Sequence, residues 1–136
     1  MTSNAHVALA WSNGSDAHAE HLRTDGIELF SYNLRIGTTV QSADEGDRKV
    51  VFDYTAKGGH FYSATTSRHV GQAKQYADAV VNPDYDVLYD VRARDGRAWG
   101  LVSPDDLPGV LAEIHNTVGQ QPEIREVSLE QGDYYE

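Results

Sequence analysis

Apolar and polar residues alternate along several stretches of the chain, and this period of two predicts β-strands. The first stretch covers residues 27–40, in which we expect Phe30, Tyr32, Leu34 and Ile36 to face a core. Residues 49–56 and 60–64 are predicted to pair in a hairpin through the glycines at 58 and 59. Residues 85–103 are predicted to form a second hairpin around Asp95-Gly96, and residues 123–130 a final strand.

A period of three to four residues predicts two amphipathic helices. The first covers residues 65–81, with Thr65, Thr66 or Ser67 as its cap. The second begins at Ser103-Pro104 and ends at Gly119. Two further segments are weakly patterned: HVALAW (6–11) indicates either a helix or an edge strand, and SDAHAEHLR (15–23) indicates a short helix.

This order of elements predicts an α+β fold, a mainly antiparallel sheet built from hairpins with two packed α-helices in a single compact domain. Residues 1–25 are expected to be a peripheral N-terminal segment, because one large apolar residue, Leu22, buries little of the predicted helix there. Residues 26–130 are expected to form the single α+β domain, with residues 131–136 as an exposed tail.

Composition narrows the classes of protein that the chain can belong to. Its 136 residues contain no cysteine, which excludes disulfides, thiolate metal sites and cysteine nucleophiles. We see no signal-peptide pattern and no membrane span, so we expect no membrane partner and an intracellular location. The formal charge of −10 argues against direct binding to nucleic acid.

The segment HFYSATTSRHV (60–70) holds the best candidate chemistry. Hydroxyls and an arginine at a helix N-terminus suit an anion, and the histidines can act as acid–base groups. The same residues also suit an ordinary strand-to-helix junction, with Phe61 and Val70 in the core. The candidate contacts to a ligand or partner are His60, Tyr62, Thr66, Ser67, Arg68, His69 and, further along the chain, Trp99.

Catalytic and metal-binding motifs do not emerge from the sequence. His18 and His21 flank Glu20 with a spacing of three, whereas the zinc-binding His-Glu-x-x-His motif requires four. Phosphate-binding glycine loops and nucleophile elbows are also missing. We therefore expect a non-enzymatic protein without cofactor or metal.

Two segments resemble a family of small uncharacterised phage proteins. The matching residues are Ser31, Tyr32 and Ile36 in FSYNLRI, followed by Tyr62, Ser63, Thr65, Thr66, Ser67, Arg68 and His69 in FYSATTSRH. The resemblance is confined to the N-terminal half of the chain. It implies a phage or prophage origin, expression in the host cytoplasm and a role beyond packing for Arg68 and His69, but no particular activity.

Three functions remain open. The first is an accessory protein that binds and modulates a host or phage protein, with exposed aromatic residues such as Tyr85, Trp99, Tyr134 and Tyr135 as anchors. The second is an acidic DNA mimic that inhibits a DNA-binding defence protein, using the acidic stretches 78–106 and 120–136. The third is a ligand- or nucleotide-binding protein, or small enzyme, that uses residues 60–70. The oligomeric state is not indicated.

Overall fold

The computed structural model describes residues 2–41, 46–57, 59–92, 98–119 and 121–129, with the backbone alone at 98 and 118. These residues form three helices and nine strands, so the fold is α+β, as the sequence predicted. The chain divides after Pro83 into two compact units, residues 1–83 and 84–136, rather than after residue 25. The glycine at 58, the predicted turn at Asp95-Gly96 and the tail with Tyr134 and Tyr135 lie outside the described residues.

The first unit is a six-stranded sheet with two helices. Its strands follow the order β1-β2-β3-β4-β5-β6, and every pair is antiparallel except β5 and β6. Helix α2 supplies the crossover that a parallel pair requires. The bounds are α1 (Asn4–Ser12), β1 (Ala17–His18), β2 (Leu22–Thr24), β3 (Leu29–Ser31), β4 (Leu34–Val40), β5 (Arg48–Phe52), α2 (Ala64–Lys74) and β6 (Ala79–Val81).

The N-terminal segment belongs to the core of this unit, contrary to the expectation of a peripheral segment. HVALAW lies in helix α1, which begins where the hydroxyl of Ser3 accepts a hydrogen bond from the N–H of His6. Val7 and Trp11, one turn apart, are fully buried among the core residues. The indole N–H donates to the carbonyl of Ile27 at 3.0 Å. Helix α1 thus buries Trp11, which the expectation of a peripheral segment left out because it counted only Leu22 in the region.

Two predictions in this region are wrong. Residues 15–23 contain strands β1 and part of β2 rather than a helix, and residues 27–40 form the hairpin β3–β4 rather than one strand. Tyr32 adopts a φ of 56° between the two strands, a left-handed conformation that most residues with a side chain avoid. Because the chain turns there, Leu29 and Ser31 face the core on β3, while Tyr32 is exposed.

The expected hairpin between 49–56 and 60–64 does not form. Strand β5 pairs with β4 on one side and with β6 on the other, and residues 60–63 are irregular. The predicted helix also ends earlier, at Lys74. Asp78 explains the change, because its carboxylate accepts the N–H of Lys49 at 2.7 Å and its own N–H donates to the carbonyl of Lys49. These bonds place residues 79–81 beside β5.

Two charged side chains are buried in the first unit with partners. The ammonium group of Lys49 donates to the carbonyl of Gly26 and to Thr39, and burial lowers the pKa of Lys49. The carboxylate of Glu28 accepts hydrogen bonds from Arg35 and Thr38. Buried charges are tolerated when paired in this way.

The second unit largely follows the sequence prediction. Its strands form a three-stranded antiparallel sheet in the order β8-β7-β9, and helix α3 ends at Gly119 in the left-handed conformation. Val91, Val102 and Ile114 form its core, with Trp99 half-buried against them. The bounds are β7 (Val87–Arg92), β8 (Ala98–Val102), α3 (Leu107–Val118) and β9 (Glu123–Ser128).

Candidate functional site

A polar cleft of about 460 Å³ opens on the first unit. It lies where the N-terminal ends of α1 and α2 meet the β1–β2 and β3–β4 turns. Its volume falls within the range typical of small-molecule sites. The cleft is lined by Thr2, Ser3, Asn4, Ala19, Glu20, His21, Tyr32, Thr65, Arg68 and His69.

A chain of buried hydrogen bonds holds His69 in the wall of this cleft. The Nδ1 atom of His69 lies 2.7 Å from the hydroxyl of Ser31, which lies 2.9 Å from the hydroxyl of Thr66. Ser31 projects inward because β3 alternates, and Thr66 and His69 lie one turn apart on the buried side of α2. The network fixes the plane of the imidazole.

The second ring nitrogen of His69 has no hydrogen-bond partner among the described residues. Only 1% of the residue is exposed, yet it lines the cleft. Either tautomer uses Nδ1 for Ser31, so Nε2 remains free to donate or accept. Burial lowers the pKa of His69, and the neighbouring His21 and Arg68 lower it further. The ring is therefore neutral at neutral pH.

Arg68 brings a full positive charge to the same cleft. Its guanidinium group donates to the hydroxyl of Thr65 at 3.4 Å, and no carboxylate pairs with it in the described part of the chain. Arg35, in contrast, pairs with Glu28 at 3.2 Å. Arg68 keeps its charge and its planar set of donors available for an external anion.

Two aromatic rings form one side of the cleft. The rings of His21 and Tyr32 are stacked with centroids 4.5 Å apart and planes inclined by 23°. Tyr32 remains 43% exposed. The carboxylate of Glu20 lies 3.6 Å from Nε2 of His21 and adds an acceptor at this side of the cleft.

Both helices present their N-terminal ends to the cleft. The first bond of α1 runs from the N–H of Val7 to the carbonyl of Ser3, which leaves the earlier N–H groups without acceptors inside the helix. Ser63 caps α2 by accepting from the N–H of Thr66 at 3.0 Å, and Thr65 lies in its first turn. The positive ends of two helix dipoles therefore add to the charge of Arg68.

The predicted site residues separate into three groups. Arg68 and His69 line the cleft, although His69 is buried. Thr66 is linked to His69 through the hydroxyl of Ser31. Ser67 donates toward the carbonyl of Tyr54 at 3.5 Å. The residues outside the cleft are His60, Tyr62 and, in the second unit, Trp99.

Sequence reasoning missed Ser31, Tyr32 and the N-terminal residues as parts of a site. His21 and Glu20 drew attention only as metal ligands. A usable signal was present in the resemblance, because its first segment contains Ser31 and Tyr32 and its second contains Arg68 and His69. The structure brings these two segments together at one cleft.

Phe61 was predicted to enter the core, and this prediction is wrong. Phe61 and Tyr62 are 58% and 60% exposed in the irregular segment before α2. The tight cap at Ser63 explains their position, because it fixes the helix start and turns the preceding residues toward solvent.

A pocket of about 320 Å³ lies between α3 and β9 in the second unit, with Leu111, His115 and Ile124 among its walls. Elsewhere in that unit, Tyr85 donates a hydrogen bond to Asp105, which raises the pKa of Tyr85 to about 12.

Asp90 is buried and accepts a hydrogen bond from Arg125 at 3.2 Å. It therefore adds no exposed charge to the acidic stretch 78–106.

Among the described residues, no three His, Asp or Glu side chains are grouped to hold a metal ion. No helix in the described ranges has the length and apolar character needed to cross a membrane.

The fold and the cleft define an α+β protein with a polar site, which contains Arg68, in its N-terminal unit. Comparison with protein-family models, curated proteins and solved structures found no significant match to the chain.

Proposed function

We propose that the protein binds a small anionic ligand that carries a phosphate group, and that the cleft is its binding site. The observation that carries this proposal is the guanidinium group of Arg68, which pairs with no carboxylate of the described residues and lies beside the N-terminal ends of two helices. Planar guanidinium groups bind phosphate through paired hydrogen bonds. Helix N-termini add oriented N–H donors.

The position of His69 in the wall of the cleft also supports the binding of an anionic ligand. The Nε2 atom of His69, the ring nitrogen that Ser31 does not contact, has no hydrogen-bond partner among the described residues, and the ring lines the cleft, so this atom is available to a ligand. The Nε2 of His69 gains such a partner when an oxygen atom of a ligand enters the cleft. The neutral ring with its proton on Nε2 donates to that oxygen, and this state is the one in which Ser31 donates to Nδ1.

The net charge of −10 of the chain does not oppose the binding of an anion in the cleft. Residues 84–136 hold most of the excess acidic residues, whereas residues 1–83 are close to balanced. Among the residues that line the cleft, Arg68 carries the positive charge and Glu20 is the one carboxylate.

The test is titration calorimetry of the purified protein with inorganic phosphate at low salt. Arg68→Gln should weaken the affinity about tenfold or more, since a hydrogen bond to a charged group contributes roughly 1.5–3 kcal/mol. Arg23→Gln is the matched control, because Arg23 is exposed on β2, stacks on Phe30 and lies outside the cleft. Equal affinities for the wild type and Arg68→Gln would refute the proposal.

A second candidate is the accessory function in which the protein binds another protein of the phage or its host. The exposed pair Phe61 and Tyr62 favours it, since adjacent aromatic residues on a surface are typical anchors of interfaces. Their backbone is irregular and available for contact.

A pull-down from bacterial lysate tests this candidate with the wild type and a Phe61→Ser/Tyr62→Ser double variant. A stoichiometric partner that resists physiological salt and is lost in the double variant supports it. A DNA-binding partner that both proteins retain and that salt removes favours the acidic-mimic alternative instead. Arg68→Gln is the control that separates the aromatic pair from the cleft.

A further inference from the structure

We infer that the phosphate ligand of the cleft is a nucleotide whose base extends the stack of His21 and Tyr32. This inference rests on the proposed function, because the phosphate is taken to lie against Arg68. Size provides the first argument. Inorganic phosphate fills only a small part of about 460 Å³, whereas sites of this volume suit ligands with a ring system.

The aromatic side of the cleft provides the second argument. His21 and Tyr32 already form a stacked pair, and Tyr32 keeps 43% of its surface exposed. Nucleobases stack on such rings whatever their sequence, because every base has a flat π-face. The site therefore offers a surface for a planar group as well as a charge for a phosphate.

The backbone of Tyr32 supports a role for its ring. Among the described residues, Tyr32 is the one position other than glycine with a positive φ, at 56°. A bulky side chain in this conformation costs free energy, and asparagine or glycine would suit the turn better. Retaining tyrosine there is explained when its ring contacts a ligand.

Polar groups beside the stack favour a base over a simple aromatic ring. The carboxylate of Glu20 accepts hydrogen bonds, and carboxylates pair with the exocyclic amino groups of bases. The amide of Asn4 lines the same cleft and can donate and accept. A phenyl ring has no edge that can use these groups.

The experiment compares ligands that share a phosphate and differ in what it carries. The probes are AMP, CMP, GMP, ribose 5-phosphate, phenyl phosphate and inorganic phosphate, each titrated at low salt into the wild type. At least one nucleoside monophosphate should bind about tenfold or more tightly than ribose 5-phosphate, given the usual strength of base stacking. It should also exceed phenyl phosphate.

Two variants assign the difference to the ring. Tyr32→Asn removes the ring and keeps a residue that tolerates a positive φ, so it should bring the nucleotide down to the affinity of ribose 5-phosphate without changing the latter. Leu9→Asn on helix α1, at an apolar side chain that is 43% exposed like that of Tyr32 and lies outside the cleft, should leave both affinities unchanged.

The outcomes separate the two proposals. If ribose 5-phosphate or phenyl phosphate binds as tightly as every nucleotide, and Arg68→Gln weakens all of them, the nucleotide inference is wrong and phosphate binding stands. If no phosphate compound binds at millimolar concentration, the proposed function fails and the inference fails with it.

Discussion

His69 combines burial with a position in the wall of a cleft, and this combination makes stability depend on pH. Its pKa lies below the ordinary value of 6.5, so between the lowered pKa and 6.5 the unfolded chain binds more protons than the folded one. The stability contribution is therefore present above pH 6.5 and is lost as the pH falls through the lowered pKa. Melting temperatures measured by circular dichroism from pH 7.5 to 5 should show this loss.

The variant His69→Gln should lose part of that pH dependence, because glutamine does not titrate. Its melting temperature should change less than that of the wild type across the same interval. His18→Gln, at an exposed histidine on β1, is the control and should follow the wild type. Parallel profiles for the wild type and His69→Gln would contradict the assignment.

Gly37 lies close against the ring of Trp11. A Cβ atom added there would lie 2.9 Å from Cζ2 of the indole and 3.2 Å from Cβ of Leu29. Gly37→Ala should lower the free energy of unfolding by about 1–3 kcal/mol, the usual cost of overpacking. Urea denaturation measures the change.

Gly71 lies on the exposed side of α2, where an added Cβ atom would have no neighbour outside its own helix within 4 Å. Gly71→Ala should therefore raise the free energy of unfolding by about 0.5–1 kcal/mol in the same urea denaturation.

At the scale of the element, α2 depends on its cap. The hydroxyl of Ser63 accepts the N–H of Thr66 at 3.0 Å, and loss of such a bond costs about 1 kcal/mol. Ser63→Ala should show this loss in denaturant unfolding, whereas Ser63→Asn should retain most of the stability because asparagine also caps helices. A Ser63→Ala protein as stable as the wild type would show that the cap contributes nothing.

Sequence patterns predicted elements well where local signals agreed. The helix predicted from Ser103 to Gly119 forms as α3 and ends at Gly119 as expected, but it begins at Leu107 with Asp106 as its N-cap, so Ser103 and Pro104 precede the helix. The pattern failed at 27–40 because a tyrosine, Tyr32, occupies the left-handed position of the turn, and the alternation of apolar residues outweighed the one local turn signal, Asn33. It failed at 79–81 because the bonds of Asp78 to Lys49 join residues far apart in the chain.

The site was predictable in part for the same reason. Arg68, His69 and Thr66 were predicted from the single segment 60–70, because hydroxyl and charged side chains occur together at the start of the predicted helix. His21, Tyr32 and Ser31 joined them only through tertiary contacts, the stack at 4.5 Å and the bond at 2.7 Å, which no periodicity encodes.

At the scale of the whole molecule, each unit has a hydrophobic core of its own. Residues 1–83 produced alone should therefore unfold cooperatively and should retain phosphate binding, because every residue of the cleft belongs to this unit. Trp11 is the one tryptophan in the fragment and reports on its core. Its fluorescence should be blue-shifted and should shift to the red in a single transition with urea; a red-shifted emission without denaturant would contradict the prediction.

The parallel strand β6 determines when the first unit can finish folding. Strands β1 to β5 form hairpins between neighbours in the chain, whereas β6 reaches β5 only after α2 has crossed the sheet. Until then the backbone of β5, with Val50, Val51 and Phe52, is an open edge that another nascent chain can pair with. Because α2 also carries Arg68 and His69, a chain in which α2 has not yet packed on the sheet lacks both the wall of the cleft and the crossover that brings β6 to the edge of β5.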